Sequence, residues 1–433
     1  MRSILAFGVS SLIVQLALFR EFLSVVSPNE LTISLLLCAW LSLSGLGAFI
    51  GGRVSFFARP GFRGLHALAA LLPLVVAAAL RCTRSLVFGP GVQPGPLQFF
   101  AFAGVLLAAV CIVNGVFMAA AWRTLQPSGR QSLYAIDAVG NILGGLVFSL
   151  LLFRVPDVFI TLAAAGMFHV WAMHVPGKIK KMEIAVCGLC LLFPALNMNT
   201  RTLAHLYKGF AVIAQENSPY GAVRILSKNN EEYVVQNTGF TGYKNNTGVS
   251  EECAHLCLLQ VTAPRAILVV SGALSGTIAE VQKYAPLRVD YIDPDPVLLS
   301  LAKQKGMVLP GPGMHAIAGD ARKLIESSNH LYDAIIVQLP PPLTLGNNRF
   351  YTDEFFAAVN HTLAKKGVFA LALPPIAASM GPETAARFSM IKATLQRHFS
   401  HVVFFPGLAT VALAANRPLD TNAVALLQAR ALA

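Results

Sequence analysis

The sequence predicts two structural classes in one chain. An N-terminal polytopic α-helical membrane domain of about seven helices (residues 1–199) precedes a small antiparallel β unit with an entrance helix (200–262), and a C-terminal doubly wound α/β domain follows (263–433). Three observations carry this. The chain is 55% hydrophobic and only 12% charged, with a mean hydropathy of +0.61, too apolar for an ordinary soluble protein. Its long uncharged runs are concentrated in the first half. Beyond residue 263, short β-branched runs alternate with segments of helical period.

Seven segments, near residues 3–26, 31–56, 65–87, 97–121, 131–153, 157–175 and 182–199, are long enough, or nearly so, to cross about 30 Å of hydrocarbon as helices. His169 and His174 interrupt the sixth; the seventh is short and carries Pro194. The first also resembles a signal peptide, with Arg2 before an apolar run. FREF follows where a small-residue cleavage site belongs, so the segment reads as a retained helix. With the N-terminus inside, the inner side receives Arg2, then Arg53, Arg59 and Arg63, then Arg123 and Arg130, then Lys178, Lys180 and Lys181. The outer loops hold Arg81, Arg84 and Arg154, with Arg20 at a helix end. The positive-inside rule favours this orientation in an inner membrane. Seven crossings place the C-terminal domain on the extracytoplasmic side; one helix more or fewer reverses that.

The net charge of +12 divides unevenly. Residues 1–199 hold 13 Lys and Arg against 5 Asp and Glu, whereas residues 200–433 hold 20 against 16. Most of the excess therefore has a topological explanation, and no basic stripe or reader motif for nucleic acid is present. The partner implied by the first half is the lipid bilayer.

Several polar residues in that half are not explained by solvation in lipid. Arg20 and Glu21 close the first helix, Asn29 and Glu30 open the second, and Asp137 stands near the start of the fifth. Ionisable groups at membrane depth face a bundle interior or an aqueous cavity. They read either as a polar site for a cation or proton, or as interfacial groups that hold the first hairpin together, with Asp137 capping its helix. Glycines at helical spacing, Gly45, Gly47, Gly51 and Gly52 in GLGAFIGG and Gly140, Gly144 and Gly145 in GNILGG, permit close backbone approach.

After residue 200 the pattern changes. SPYGAVRILSKNNEEYVVQNTGFTGY has short Val-, Ile- and Tyr-rich runs broken by turn signals. SEECAHLCLLQV has helical spacing. RAILVVSGALSG reads as a buried strand entering a glycine turn, TIAEVQKYA as helix, RVDYID as strand and PVLLSLAKQKG as helix. HAIAGDARKLIESS and YDAIIVQL continue the alternation, which implies a parallel sheet with crossover helices.

These segments, in this order from about residue 216 to 373, resemble spermidine synthase and its relatives, the polyamine aminopropyltransferases. SPYGAVRI is similar to that family's opening strand, RAILVVSGALSG to its glycine loop GGGDGG, and DYIDPDPVLLSLAKQ to its EID segment. GDARKLI resembles its GDA segment, YDAIIVQLPPP its strand ending in Asp-Ser-x-Asp-Pro, and FYTDEFFAAVNHTLAKKGVFALAL its Leu-Tyr-x-x-Glu-Phe-Tyr segment followed by Leu-x-x-Gly-Gly. The first two helices also look like the membrane half of bacterial membrane-bound spermidine-synthase-like proteins. The resemblance implies a Rossmann-like fold of the methyltransferase and spermidine synthase type.

It also identifies what is missing. Transfer of an aminopropyl group to an amine requires a base for the nucleophile and anionic anchors for the polyamine. Gln338 stands where the first Asp of the strand-end motif belongs, Pro341 where the second belongs, and Leu274 at the Asp of the glycine loop. Tyr291 replaces the ribose-binding Glu, Gly221 the Gln of the opening strand, and Val249, Ser250 and Glu251 the family's Tyr-His-Glu. Gly272, Gly276, Asp293, Asp320 and Ala321 survive. Together with Asp290 and Gln338 they are the candidate ligand-binding residues, able to shape a crevice for a nucleoside derived from S-adenosylmethionine. No catalytic residue, metal or obligatory cofactor is assigned.

The reading is therefore a membrane protein whose spermidine-synthase-like domain binds a polyamine, a nucleoside-like ligand or a protein partner without aminopropyl transfer. An active transferase using a shifted set (Asp290, Asp293, Asp320, Glu251 and His255) is the alternative. A polyamine or cation transporter built around Asp137 is the second, although no inverted repeat is visible. Cys253 and Cys257 flank His255 in CAHLC, but three groups without a fourth fall short of a zinc signature, and core packing explains them better.

Overall fold

The computed structural model describes the chain except residues 27, 54–60, 90–91, 125–126, 175–179, 244–246, 309–310, 312, 329, 377–379, 423–424, 427 and 429–433; Arg59 and Lys178 thus lie outside the described residues. It forms two compact units. The first holds Met1–Asn217, Gly221–Lys228 and Gln236–Thr238, the second Ser218–Tyr220, Asn229–Val235 and Gly239–Ala433.

The first unit opens with eight helices: α1 (Arg2–Val25), α2 (Glu30–Arg53), α3 (Gly61–Val87), α4 (Pro96–Thr124), α5 (Pro127–Leu150), α6 (Val158–Met173), α7 (Lys181–Ala195) and α8 (Met198–Leu206). Among the described residues, α1 to α5 each contain a stretch long and apolar enough to cross a membrane. The sixth and seventh expected segments are less regular. Helix α6 has 16 residues, and α7 with α8 makes one bent pair, kinked by 52° where Asn197 adopts a left-handed φ of 51°. His169 does not interrupt α6: its side chain is buried, with Nδ1 2.9 Å from His66 Nδ1 of α3. His174 lies just beyond the helix as its C-cap.

Glycine sets the helix separations. A Cβ on Gly115 of α4 would lie 2.0 Å from the Ser44 carbonyl oxygen of α2, and one on Gly47 2.3 Å from that of Ile112. A Cβ on Gly144 of α5 would reach 2.4 Å from the Val9 oxygen of α1. Only glycine lets these backbones touch, which is how the expected small-residue motifs act. Gly45 and Gly52 meet nothing within 4 Å and play no such part. Leu18, Phe22, Leu74, Leu107 and Phe159 fill the core between α1, α3, α4 and α6.

Two corrections concern charged residues. Helix α5 begins at Pro127, so Asp137 stands mid-helix and cannot cap it. Helix α3 runs to Val87, so Arg81 and Arg84 are buried helix residues and not loop charges.

Four strands follow: β1 (Ala211–Ser218), β2 (Gly221–Lys228), β3 (Glu231–Gln236) and β4 (Gly239–Tyr243). They form a small sheet. The remaining elements belong to the second unit: α9 (Gly248–Leu258), β5 (Ala266–Val270), α10 (Thr277–Gln282), β6 (Arg288–Asp293), α11 (Pro296–Gln304), β7 (Met314–Ala318), α12 (Ala321–Ser327), β8 (Tyr332–Val337), α13 (Leu345–Asn348), α14 (Asp353–Thr362), β9 (Leu363–Leu373), α15 (Pro382–Gln396), β10 (His401–Phe405) and β11 (Thr410–Ala415). The seven-stranded sheet has the order β10-β11-β9-β8-β5-β6-β7. Its five central and right-hand strands are parallel, and β11 and β10 turn back antiparallel at one edge. Ile267 to Val270 are wholly buried, as a strand covered on both faces requires. The strand order reverses direction at β5, between β6 and β8, where ligands of doubly wound folds bind beyond the carboxyl ends.

Candidate functional site

The register fixes the crevice floor. Val270 of β5 pairs with Ile292 of β6 and with Val337 of β8, so the next residues, Ser271, Asp293 and Gln338, form one row across the carboxyl ends of three strands. The chain leaves β5 through left-handed backbone at Ser271 (φ 60°) and Gly272 (φ 84°), makes a short turn over Ala273–Ser275, and enters α10 through Gly276 (φ 89°). Serine at such a φ carries strain that glycine would not. Its hydroxyl is used, donating to Asp293 Oδ2 at 3.2 Å.

Gln338 closes this turn. Its amide N–H donates to the Val270 carbonyl at 2.9 Å, and its side chain crosses toward α10, where Thr277 Oγ1 donates to Oε1 at 2.5 Å. A Cβ on residue 272 would lie 1.8 Å from Oε1, so Gly272 is required for close approach as well as for its φ. Gln338 Nε2 is buried beside the Cys253 thiol without an oxygen or nitrogen acceptor among the described residues. Leu274, at the Asp position of the resembled loop, is buried beneath β4: a Cβ on Gly242 would lie 2.5 Å from its own Cβ.

Asp293 is the one buried carboxylate on this row. Tyr291 donates its hydroxyl to Oδ2 at 2.7 Å, and the Asp295 amide donates to Oδ1 at 3.0 Å. Burial raises the Asp293 carboxyl above its ordinary value against the pull of these donors, and burial with the adjacent carboxylate pushes the Tyr291 phenol well up. The only hydrogen of the Tyr291 hydroxyl is committed to Asp293, so it has none to donate to a ribose.

The other candidates do not converge here. Asp290 faces the opposite side of β6, as strand alternation dictates, where Arg288 Nε and the Tyr332 hydroxyl donate to it at 2.9 and 2.6 Å. Asp320 caps α12 through the Arg322 and Lys323 amides and pairs with Arg349 at 2.8 Å; Ala321 is core. His255 is held between the Tyr284 hydroxyl (2.8 Å) and Glu280 (2.9 Å), and Glu251 is exposed and contacts Thr247. Cys253 and Cys257 are fully buried, and burial lifts the Cys253 thiol to about 12. They behave as core residues; among the described residues no three metal-binding groups gather.

In the first unit, Asn29 caps α2 by accepting from the Thr32 amide at 2.7 Å, and Glu30 is exposed in the first turn. Asp137 Oδ2 accepts from Asn141, while Oδ1 is buried without a partner among the described residues. Glu21 pairs not with its neighbour Arg20 but with Arg81, at 2.6 Å, and Arg224, at 3.9 Å. Arg81 and Arg224 went unnoticed as site residues, since nothing local in the sequence joins positions 60 and more than 200 residues away to Glu21.

The sheet order and the strand-end glycine turn define an α/β domain of the doubly wound class. Residues 246–380 match the spermine/spermidine synthase domain family. The chain is 30% identical over 123 residues to a polyamine aminopropyltransferase of Korarchaeum cryptofilum, covering 27% of this chain and 38% of that one. It is 26% identical over 201 residues to one of Sulfurisphaera tokodaii, covering 44% and 64%. The spermidine synthase structure of Thermotoga maritima overlaps 48% of this chain and 74% of that one, at 17% identity and a TM-score of 0.42. The chain thus spans less than two thirds of the curated relatives it matches. Its C-terminal domain is spermidine-synthase-like and divergent, as the ordered motifs led us to expect.

Proposed function

We propose that this is a multi-pass membrane protein whose C-terminal domain keeps the spermidine synthase scaffold, has lost aminopropyl transfer, and works by binding a ligand or a protein partner. The observation that carries the reading is Gln338. A carboxamide has no useful proton affinity at neutral pH, and this one is tied to Thr277 over the glycine turn. A neutral amine nucleophile needs a base within hydrogen-bond reach, and a polyamine needs anionic anchors. Asp293, the carboxylate in the same row, already receives three hydrogen bonds, and Asp290 faces the other side of the strand. The shifted acidic set of an active transferase finds no support in this arrangement.

Five long apolar helices support insertion in a membrane, and the Lys and Arg pattern supports an internal N-terminus. Counting α6 and the bent α7–α8 pair as spans gives seven crossings and an extracytoplasmic C-terminal domain, away from cytosolic donors. A compartment-sensitive reporter fused after Ala433 tests that placement. The transfer question is tested by incubating purified full-length protein with putrescine and decarboxylated S-adenosylmethionine. No spermidine above the protein-free control is expected; donor-dependent accumulation overturns the reading.

The unpaired Asp137 Oδ1 favours one further reading, passage of a cation along α5. Polyamine uptake into cells that falls with Asp137→Asn would support it, and unchanged uptake would remove it.

A further inference from the structure

We propose that the first unit holds one small monovalent anion, of chloride size, among Arg20, Arg81 and Arg224. Three guanidinium groups surround Glu21. Arg81 Nε donates to Glu21 Oε1 at 2.6 Å, and its Nη1 donates to Asn199 Oδ1 at 2.8 Å and Thr202 Oγ1 at 3.1 Å. Arg224 stands 3.9 Å from the same carboxylate oxygen and donates to Ser24 Oγ and the Tyr207 hydroxyl, each at 3.1 Å. Arg20 donates Nη1 to the Phe153 carbonyl at 2.8 Å and lies within electrostatic reach of both Glu21 and Arg224. Arg81 and Arg224 are 0% exposed.

The charges do not balance. The second carboxylate nearby is Asp157, which senses Arg81 and Glu21 but uses Oδ1 to cap α6 through the Phe159 and Ile160 amides. Three cations therefore face two anions, one positive charge in excess, with Arg81 and Arg224 wholly buried and Arg20 partly exposed. Donors are in excess as well: Arg20 Nη2, Arg81 Nη2 and Arg224 Nε are buried without an acceptor among the described residues. An unpaired buried charge and orphaned charged donors are each strongly unfavourable. A water molecule would satisfy donors and leave the charge, whereas a monatomic anion answers both.

Size selects the ligand. A cavity of about 20 Å³, bounded by Arg20, Glu21, Ser24, Thr161, Gln215 and Asn217, adjoins the cluster. Arg20 alone of the three arginines lines it, beside the Glu21 carboxylate, and its size suits one water-sized occupant. The excess positive charge also makes this end of the bundle a poor path for a polyamine.

The test is thermal unfolding of the purified full-length protein in detergent, exchanging sodium gluconate for sodium chloride at constant ionic strength. The site requires a saturable rise in melting temperature, reproduced by bromide. Arg20→Gln restores charge balance at a partly exposed residue and must abolish the chloride response; Arg154→Gln, an exposed arginine outside the cluster, must retain it. Equal melting temperatures of the parent protein in chloride and gluconate, or an undiminished response in Arg20→Gln, overturns the proposal. Anomalous scattering from bromide-grown crystals gives an independent reading: a peak beside the three guanidinium groups supports the site, and an occupied water there with no peak overturns it.

Discussion

The Thr277 hydroxyl stands 2.5 Å from Gln338 Oε1, so the residue at the proton-accepting position of the resembled enzymes is a hydrogen-bond acceptor for its own scaffold. The same hydroxyl lies 2.9 Å from Ser250 Oγ and from the Gly272 carbonyl, which links β8, α9 and the glycine turn. Where a transferase would offer a free carboxylate to its substrate, this domain has an internal polar contact that stabilises the turn.

Thr277→Val keeps the shape and removes the hydroxyl. It leaves Gln338 Oε1 buried without its donor, and we expect a loss of about 1–3 kcal/mol in denaturant unfolding. Thr277→Ser should retain most of the stability, which separates the hydroxyl's contribution from packing.

Gly272→Ala meets two penalties at once, a left-handed φ worth about 1–2 kcal/mol and collision with Gln338 Oε1. Combining it with Gln338→Ala relieves the collision and leaves the φ. The double-mutant cycle should therefore show a coupling of about 0.5–3 kcal/mol, the double variant being more stable than the sum of the single losses predicts.

Asp293 sets a pH dependence of definite sign. Its carboxyl is raised in the folded protein, so the native state binds more protons than the unfolded chain between the ordinary value of 3.8 and the native value. That contribution is full at low pH and is lost as pH rises through the native value. The stability of Asp293→Asn relative to the parent should thus rise with pH across this window and then level off. Asp353, lowered by His398, contributes the opposite slope, but equally in both proteins, so it cancels in the difference.

The second unit was largely legible in the sequence because its signals are local. Strand alternation, the glycine turn and the N-caps Asp295, Asp320 and Thr352 each lie within a few residues of what they control. Even the absence of a base at Gln338 could be read from one segment. The orientation of Asp290 away from Asp293 follows from strand alternation, which separates two members of the shifted acidic set onto opposite faces of β6. The first unit hid its polar chemistry for a different reason. Glu21, Arg81 and Arg224 meet across helices and a strand, and His66 meets His169 in the same way, so no periodicity announces them. Helix ends misled as well: Arg81 looked like a loop charge because a buried arginine interrupts an apolar run just as a loop does.

Glu21→Gln tests that buried network. Removing the carboxylate leaves Arg81 and Arg224 enclosed without their anion, and the expected cost is about 3–5 kcal/mol, read by SDS titration in mixed micelles. The double variant Glu21→Leu/Arg81→Met, which removes one buried charge of each sign, should be more stable than Glu21→Gln.

Gly115→Ala forces α2 and α4 apart, because the obstructing atoms are backbone and cannot rotate away. We expect a loss of about 1–3 kcal/mol by the same titration. Gly104→Ala on the same helix, with nothing within 4 Å, is the control and should be neutral or slightly stabilising.

The most direct test of the account is a single-turnover experiment. Purified full-length protein, in molar excess over isotope-labelled decarboxylated S-adenosylmethionine and with saturating putrescine, is followed by mass spectrometry for label in spermidine and for release of the thioether product. With Gln338 and Leu274 in place of carboxylates, the account predicts that the donor survives at the rate of the protein-free control. Label appearing in spermidine, even once per protein molecule, would contradict it and would point to Asp293, the one carboxylate on the crevice row of Ser271, Asp293 and Gln338, as the base.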